Sequence, residues 1–392
     1  MFIPPYVLEV LNLLESHGFE AFVVGGAIRN YLLNLPAHDY DVTTNALPLQ
    51  IKEVFHKYHT IDTGIQHGTV TVMVHHKPIE ITTYRKDNAY KDHRHPTNVT
   101  YTTSLQEDCK RRDFTINAMC YSPSTGILDF FNGQEDLKEK KIRCIGNPEE
   151  RFEEDALRIL RALRFASRLG FSIDEETSNT LRKKKDTLSY VSKERITSEW
   201  MGILESSHPV PILQNYREVI EICIPEIKEY TETEYSNVLD TIQRDTSNSS
   251  VVRMALFLRP LETTIISKIL RNMKCSNNYS QSVLNLLQTS TMPSSSHIEL
   301  RYVLNQLKVD FSIYLSYQQA LQNPNDLKKL YDDVTHDSYA YSLSQLEITG
   351  ADLISEGFKG KEIGTTLKEL LELVIQEKLP NNKNALLDHL HH

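Results

Sequence analysis

Two aspartates one residue apart, Asp39 and Asp41 in HDYDV, are the first residues of this 392-residue chain whose type and spacing suggest chemistry. On a β-strand the period of two sends both carboxylates to one face and His38, Tyr40 and Val42 to the other. Like charges that close repel unless a cation sits between them. A third acid, Glu80, stands among β-formers in PIEITTY, where a carboxylate is costly without a cationic partner. Taken alone, the aspartates read as a surface pair at a strand end, and Glu80 as a solvent-facing residue of an edge strand. The segment upstream, VVGGAIRN, changes that reading. Gly25 and Gly26 lack side chains that would block a phosphate, the helix they open has free N–H groups, and Arg29 adds charge one turn in. Two aspartates and a glutamate holding Mg2+ beside a phosphate-binding turn describe nucleotidyl transfer. One ion would activate the attacking hydroxyl and another would neutralise the leaving pyrophosphate.

Two more segments carry charge in a pattern. KRRDF places Arg112 and Asp113 before an apolar run, which without further context is a solvated loop. In RFEEDALRILRALRF, Asp155, Arg158, Arg161, Arg164 and Arg168 recur every three or four residues while Leu157, Leu160, Leu163 and Phe165 supply apolar positions. One helix running through the whole segment would pack on one side and present guanidiniums on the other. By periodicity alone that is a salt-bridged surface.

GGAIRN followed by HDYDVTTNA resembles the signature of the nucleotidyltransferases that include CCA-adding enzymes and bacterial poly(A) polymerases. RRDFTINAM (111–119), ERFEEDALRILRALRFASRLGF (150–171) and SKERITSE (192–199) are similar, in order and spacing, to further motifs of the bacterial class II CCA-adding enzymes. The resemblance implies template-independent addition of C, C and A to the 3′ end of tRNA from CTP and ATP, with tRNA held by its 3′ end and acceptor arm. It implies catalysis by Asp39, Asp41 and Glu80, with the two aspartates as metal ligands. Arg112 and Asp113 would contact the ribose, and Asp155 and Arg158 would read the base. Cytosine and adenine each present an exocyclic amine beside an acceptor nitrogen, so an aspartate–arginine pair can accept both and reject uracil and guanine. Arg161 and Arg164 would face the triphosphate or position that pair. RKDNAYKDHRHP (85–96) resembles the loop that full CCA enzymes have and CC-only enzymes lack. ITGADLISEGFKGKEIGTTLKELLELV (348–374) resembles the family's tail, in which Lys359 and Lys361 could grip a backbone phosphate, while Gly357 and Gly360 could equally be structural helix caps. Two departures stand out. Asn30 follows Arg29 where the family usually has Asp, and His336–Asp337 lacks the setting of a phosphohydrolase motif.

These residues need a scaffold. YVLEVLNLLESH (6–17) has helical spacing and stops at Gly18, and EAFVV, HDYDVTT, GTVTVMV, PIEITTY and GILDFF are short β-rich runs. The expected fold is α+β, with an N-terminal mixed α/β nucleotidyltransferase palm followed by a mostly helical neck, body and tail. The corresponding boundaries are a head at 1–140, a base-recognising neck at 141–205, a body at 206–296 and a tRNA-binding tail at 297–392. RDTSNSS (244–250), QTSTMPSSS (288–296) and QNPND (322–326) are the candidate breaks in the helical half.

Composition narrows the class. With 40% hydrophobic and 24% charged residues the chain is ordinary globular protein, and no apolar run long enough to span a membrane occurs. Five scattered cysteines and the lack of an export-type leader point to reduced thiols and a cytoplasmic location. The net charge of −9 is uneven, with 26 basic against 28 acidic side chains in residues 1–200 and 17 against 24 afterwards. A local basic stripe that neutralises phosphates is compatible with that total. TGIQHGTVTV (63–72) stands where poly(A) polymerases carry a GRRF-type stretch, which favours CCA addition. The alternatives are a poly(A) polymerase, a partial CC- or A-adding enzyme, and an inactive RNA-binding relative. The closing histidines receive no function, and nothing in the sequence speaks to oligomeric state.

Overall fold

The structure, a computed structural model, describes residues 3–37, 39–62, 64–87, 99–323 and 326–391. Contacts divide the chain into two compact units, Met1–Lys228 and Glu229–His392.

The first unit begins with the helix Pro5–Ser16, in which proline at the first turn presets φ and Val7, Val10, Leu11 and Leu14 are buried. Strands β1 (Ala21–Val24), β2 (Asp41–Thr44), β3 (His59–Ile61), β4 (Thr69–Val74) and β5 (Lys77–Thr83) follow, then a separate ribbon of β6 (Arg85–Asp87) with β7 (Val99–Tyr101), then β8 (Cys120–Ser122) and β9 (Gly126–Leu128). Seven of them form one mixed sheet in the order β3-β4-β5-β2-β1-β8-β9. β1, buried along its whole length, is near its middle. β4 alternates between half-buried and buried positions, as its period-two pattern requires. The pairing of β2 with β5 is parallel, Val42 opposite Ile81, whereas the neighbouring pairings are antiparallel. One residue before that pair stand Asp41 and Glu80, on the face opposite to the buried Val42 and Ile81.

Two expectations change here. β2 begins only at Asp41, so Asp39 and Tyr40 belong to the segment that leads into the strand, and His38 lies outside the described residues. The segment read as one helix is two, Pro148–Glu154 and Leu157–Leu169. Asp155 between them has φ −143° and ψ 102°, an extended conformation. Its carboxylate accepts from the Leu157 N–H at 3.1 Å, so a residue expected inside a helix caps the start of one. Most of the loop predicted at 85–96 lies outside the described residues.

The second unit is helical among the described residues. Each of the three polar interruptions named above falls between two helices. Leu353, Leu370, Leu371, Val374 and Leu386 build a local core for the closing helices. Gly357 has φ 96° just after the helix Gly350–Ser355, with open space where a Cβ would stand, so its backbone conformation is what calls for glycine. Asp337 is occupied as a partner of the buried Arg301, which gives this aspartate a structural role.

The tightest backbone approach beside the site is at Gly133, which opens the helix Gly133–Lys138 under the Thr115–Asn117 turn. A Cβ there would meet Thr115 O at 2.4 Å and Thr115 C at 2.9 Å, both backbone atoms. Gly133→Ala is expected to destabilise the protein by about 1–3 kcal/mol through overpacking, seen as a lower midpoint in thermal or urea unfolding.

Candidate active site

The turn between β1 and the next helix, Gly26–Leu32, is made at Gly25, whose φ of 76° and ψ of −132° suit only glycine. It opens onto a cleft of about 640 Å³. Gly25, Gly26, Arg29, Asp39, Asp41, Arg112, Asp113, Asp155, Arg158, Arg161 and Arg164 all line it. Of the residues expected to catalyse or to bind the nucleotide, Glu80 alone lies elsewhere, in a neighbouring cavity that it shares with Asp39 and Asp41. Arg111, Asn117 and Phe165 line the cleft as well and were not anticipated.

The cationic side of the cleft is held by a continuous chain of hydrogen bonds and ion pairs. Arg29 donates from Nε and Nη2 to Asn30 Oδ1 at 3.2 and 3.0 Å, and from Nη1 to Asn117 Oδ1 at 2.6 Å. Asn30 donates in turn to the Pro36 carbonyl at 2.9 Å, so the residue that departs from the family's Asp still orients the arginine. Asn117 Nδ2 donates to Asp113 Oδ1 at 3.2 Å, and Arg161 donates to Asp113 Oδ2 from Nε at 2.8 Å, with Nη2 at 2.6 Å. Glu199 closes the chain, 2.5 Å from Arg164 Nε and 3.8 Å from Arg161 Nη1. Beneath lies the Phe165 ring, with the Cζ atoms of Arg29, Arg161 and Arg164 at 5.2, 5.3 and 4.6 Å from its centroid. Burial, with Arg168, Arg164 and Arg161 nearby, pulls the Arg29 pKa down to about 10, which leaves it charged at neutral pH. The helix Gly26–Leu32 has only seven residues, so the positive field in the cleft comes chiefly from these side chains.

Asp113 is 8% exposed and already accepts from the Phe114 N–H at 2.8 Å besides Asn117 and Arg161. Burial alone would raise its pKa, but Arg161 and Asn117 hold it below the usual carboxylate range. Both of its oxygens are therefore committed. Arg112 differs, since its buried Nε has no hydrogen-bond partner among the described residues. Asp108, fully buried, accepts from Arg111 Nε at 2.9 Å and lies 3.5 Å from Arg112 Nη2, so it anchors both arginines of the RRD segment.

Asp155 and Arg158 are held by separate partners. Arg195, in the helix Lys193–Leu204, donates from Nη2 to Asp155 Oδ2 at 2.8 Å and from Nη1 to Oδ1 at 3.3 Å. Arg158 donates to the carbonyls of Arg151 at 3.0 Å and Arg111 at 2.9 Å and pairs with Glu154. The break at Asp155 thus turns the carboxylate toward one neighbouring helix while Arg158 points back to Arg111.

At the other end of the cleft the Asp41 carboxyl is held above its ordinary pKa, first by burial and then by Glu80 and Asp39, with Arg112 opposing. That repulsion is what a bound cation relieves. Among the described residues no three acidic, histidine or cysteine side chains form a ready chelate. Two carboxylates completed by substrate phosphates and water is the arrangement that suits Mg2+, so the residues present fit such an ion.

Residues 21–143 match the Poly A polymerase head domain, 170–230 the probable RNA and SrmB-binding site of polymerase A, and 246–390 the putative tRNA nucleotidyltransferase domain 2. The chain is 36% identical to a CCA-adding enzyme of Ligilactobacillus salivarius (strain UCC118), over 97% of this chain and 94% of that one. It is 36% identical to a CCA-adding enzyme of Oceanobacillus iheyensis, over 96% and 94%. The fold superposes on the Bacillus stearothermophilus CCA-adding enzyme in complex with CTP with a TM-score of 0.79 at 26% identity, covering 99% of this chain and 98% of that one. A Thermotoga maritima CCA-adding enzyme complexed with tRNA has the same fold, with a TM-score of 0.68 at 20% identity, covering 99% and 96%. Members of this nucleotidyltransferase family generally use divalent metal ions, in keeping with the paired aspartates. The protein is an enzyme, and its chain belongs to the family of CCA-adding enzymes, the tRNA nucleotidyltransferases.

Proposed function

We propose that this enzyme adds C, C and A to the 3′ end of tRNA from CTP and ATP, with Mg2+ as its metal ion. The observation that carries the reading is one cleft with paired carboxylates at one end, three guanidiniums around Phe165 at the other, and Asp155 and Arg158 beside them.

In this reading Asp39 and Asp41 hold the metal, which when bound offsets negative charge on the attacking and leaving oxygens. Arg29, Arg161 and Arg164 receive the triphosphate. The 3′-hydroxyl oxygen bonds to the α-phosphorus as the bond to the β-phosphate's bridging oxygen breaks, the hydroxyl proton passes to solvent, and pyrophosphate leaves. Arg112 makes the ribose contact, and Asp113 keeps the arginines in place through its saturated carboxylate. Asp155 and Arg158 read the base once its edge replaces part of their present partners, Arg195 and the carbonyls of Arg111 and Arg151. Glu80, on the side away from the arginines, positions the hydroxyl. Residues 1–140 serve as head, 141–205 as neck, 206–296 as body and 297–392 as the tRNA-binding tail. Among the described residues no helix is long and apolar enough to cross a membrane, and the same reading puts the enzyme in the cytoplasm with its substrates.

The deciding experiment incubates purified protein and Mg2+ with tRNA transcripts lacking CCA, ending in C, or ending in CC, each with one labelled nucleotide. The expected result is two C followed by one A, no use of UTP or GTP, and complete loss with a chelator that Mg2+ restores. Long A tails on any RNA would mean a poly(A) polymerase. Asp39→Ala should abolish incorporation of both nucleotides, and Arg158→Ala should leave incorporation but admit UTP or GTP. Phe165→Leu removes the ring while keeping apolar volume, so the KM for CTP and for ATP should both rise about 5- to 30-fold, equivalent to ~1–2 kcal/mol of lost cation–π support.

A further inference from the structure

The nucleotide cleft and the cavity that holds Glu80 meet at Asp39 and Asp41, and among the described residues they share no other wall. The two sides differ in chemistry. One is lined by guanidiniums. The other, about 530 Å³, is lined by Tyr6, Tyr40, Lys77, Pro78, Ile79 and Glu80 besides the two aspartates. We infer that this second cavity is the acceptor subsite, where the last nucleotide of the RNA lies with its base against Tyr6 and Tyr40 and its phosphate near Lys77. This rests on the nucleotidyl-transfer reading above.

In-line displacement puts the attacking oxygen and the leaving group on opposite sides of the reacting phosphorus. With the triphosphate's tail among Arg29, Arg161 and Arg164, the attacking hydroxyl must arrive from beyond Asp39 and Asp41, where this cavity opens. Its floor carries three carboxylates, which repel a phosphate and suit the uncharged end of a chain, a ribose hydroxyl. Its rim is suited to the rest of a nucleotide. The Tyr6 and Tyr40 rings meet edge to face at 6.5 Å, and Lys77 Nζ lies 4.6 Å from the Tyr6 centroid. Aromatic faces beside a single cation are how proteins hold an unpaired base and its phosphodiester without reading sequence. That tolerance fits a site that must accept a different terminal nucleotide at each addition.

The rim is also held in position. His75 and His76, both at positive φ, make the turn from β4 to β5. His75 Nε2 lies 3.0 Å from Glu9 Oε2, and the same glutamate accepts from Tyr58. Glu9 is one turn along the helix from Tyr6, so this staple keeps Lys77, at the start of β5, over the Tyr6 ring.

The test is single A addition to tRNA ending in CC, with KM measured separately for the tRNA and for ATP in wild type, Tyr6→Ala, Tyr6→Phe and Lys77→Gln. Tyr6→Ala is expected to raise the tRNA KM roughly tenfold, the size of one lost base–aromatic stack, with the ATP KM unmoved, and Tyr6→Phe should restore it. Lys77→Gln, a change at an exposed side chain, should raise the tRNA KM several-fold and lower the salt dependence of tRNA binding by about one unit of slope. An unchanged tRNA KM in both Tyr6→Ala and Lys77→Gln, or an equal rise in the ATP KM, would overturn the assignment. A wild-type protein that incorporates no nucleotide on any primer would instead overturn the function on which it rests, and that outcome needs no variant to be seen.

Discussion

Arg29, Arg161 and Arg164 surround a single phenylalanine ring, and three guanidiniums in so small a space repel one another strongly enough to work against folding. The structure answers with two carboxylates and a ring face. Asp113 takes Arg161, Glu199 takes Arg164, and the electron-rich face of Phe165 lies under all three. Asn117, neutral and bivalent, joins Arg29 to Asp113 without adding charge. What remains is a surplus of positive charge whose geometry these contacts set in advance, so an anion received there would require little reorganisation.

The opposite constraint governs the other end of the cleft. Asp41 and Glu80 are brought side by side by the parallel pairing of β2 with β5, and Asp39 joins them from the approach to β2. The raised pKa of Asp41 reports its burial first and then the repulsion from Glu80 and Asp39, against the pull of Arg112. The cleft therefore runs from a group of carboxylates to a surplus of positive charge. In the proposed reaction that polarity would orient a nucleoside triphosphate with its tail toward the arginines and leave the far side of the aspartates to the acceptor.

The two helices around Asp155 supply what joins these ends. The break between Pro148–Glu154 and Leu157–Leu169 costs backbone hydrogen bonds, and the Asp155 carboxylate offsets that by capping the second helix. The same carboxylate is held by Arg195 from the Lys193–Leu204 helix. Gly202 in that helix leaves room for Arg164, since a Cβ there would stand 2.4 Å from Arg164 Cδ. The packing of these helices and the positions of Asp155, Arg158 and Arg164 are thus one problem with one solution.

The sequence by itself determined the residue types and the local elements. Period-two runs marked the strands that carry Asp41 and Glu80, the Gly–Gly turn marked the opening of the cleft, and the order of motifs marked the family. It misread the extent of β2 and the continuity of the neck helix, because apolar periodicity through RFEEDALRILRALRF continues across the break and an aspartate that caps a helix looks in sequence like one within it. It also missed Asn117, Phe165, Arg195 and Glu199, though each lies in or beside a motif. Only the tertiary structure decided which partner each charge has. Arg29 meets Asn117 across 88 residues, Arg161 meets Asp113 across 48, Arg195 meets Asp155 across 40 and Arg164 meets Glu199 across 35. Local spacing reports which face of an element a side chain occupies. Pairing across such separations is set by how sheet and helices pack, and no periodicity in the chain encodes it.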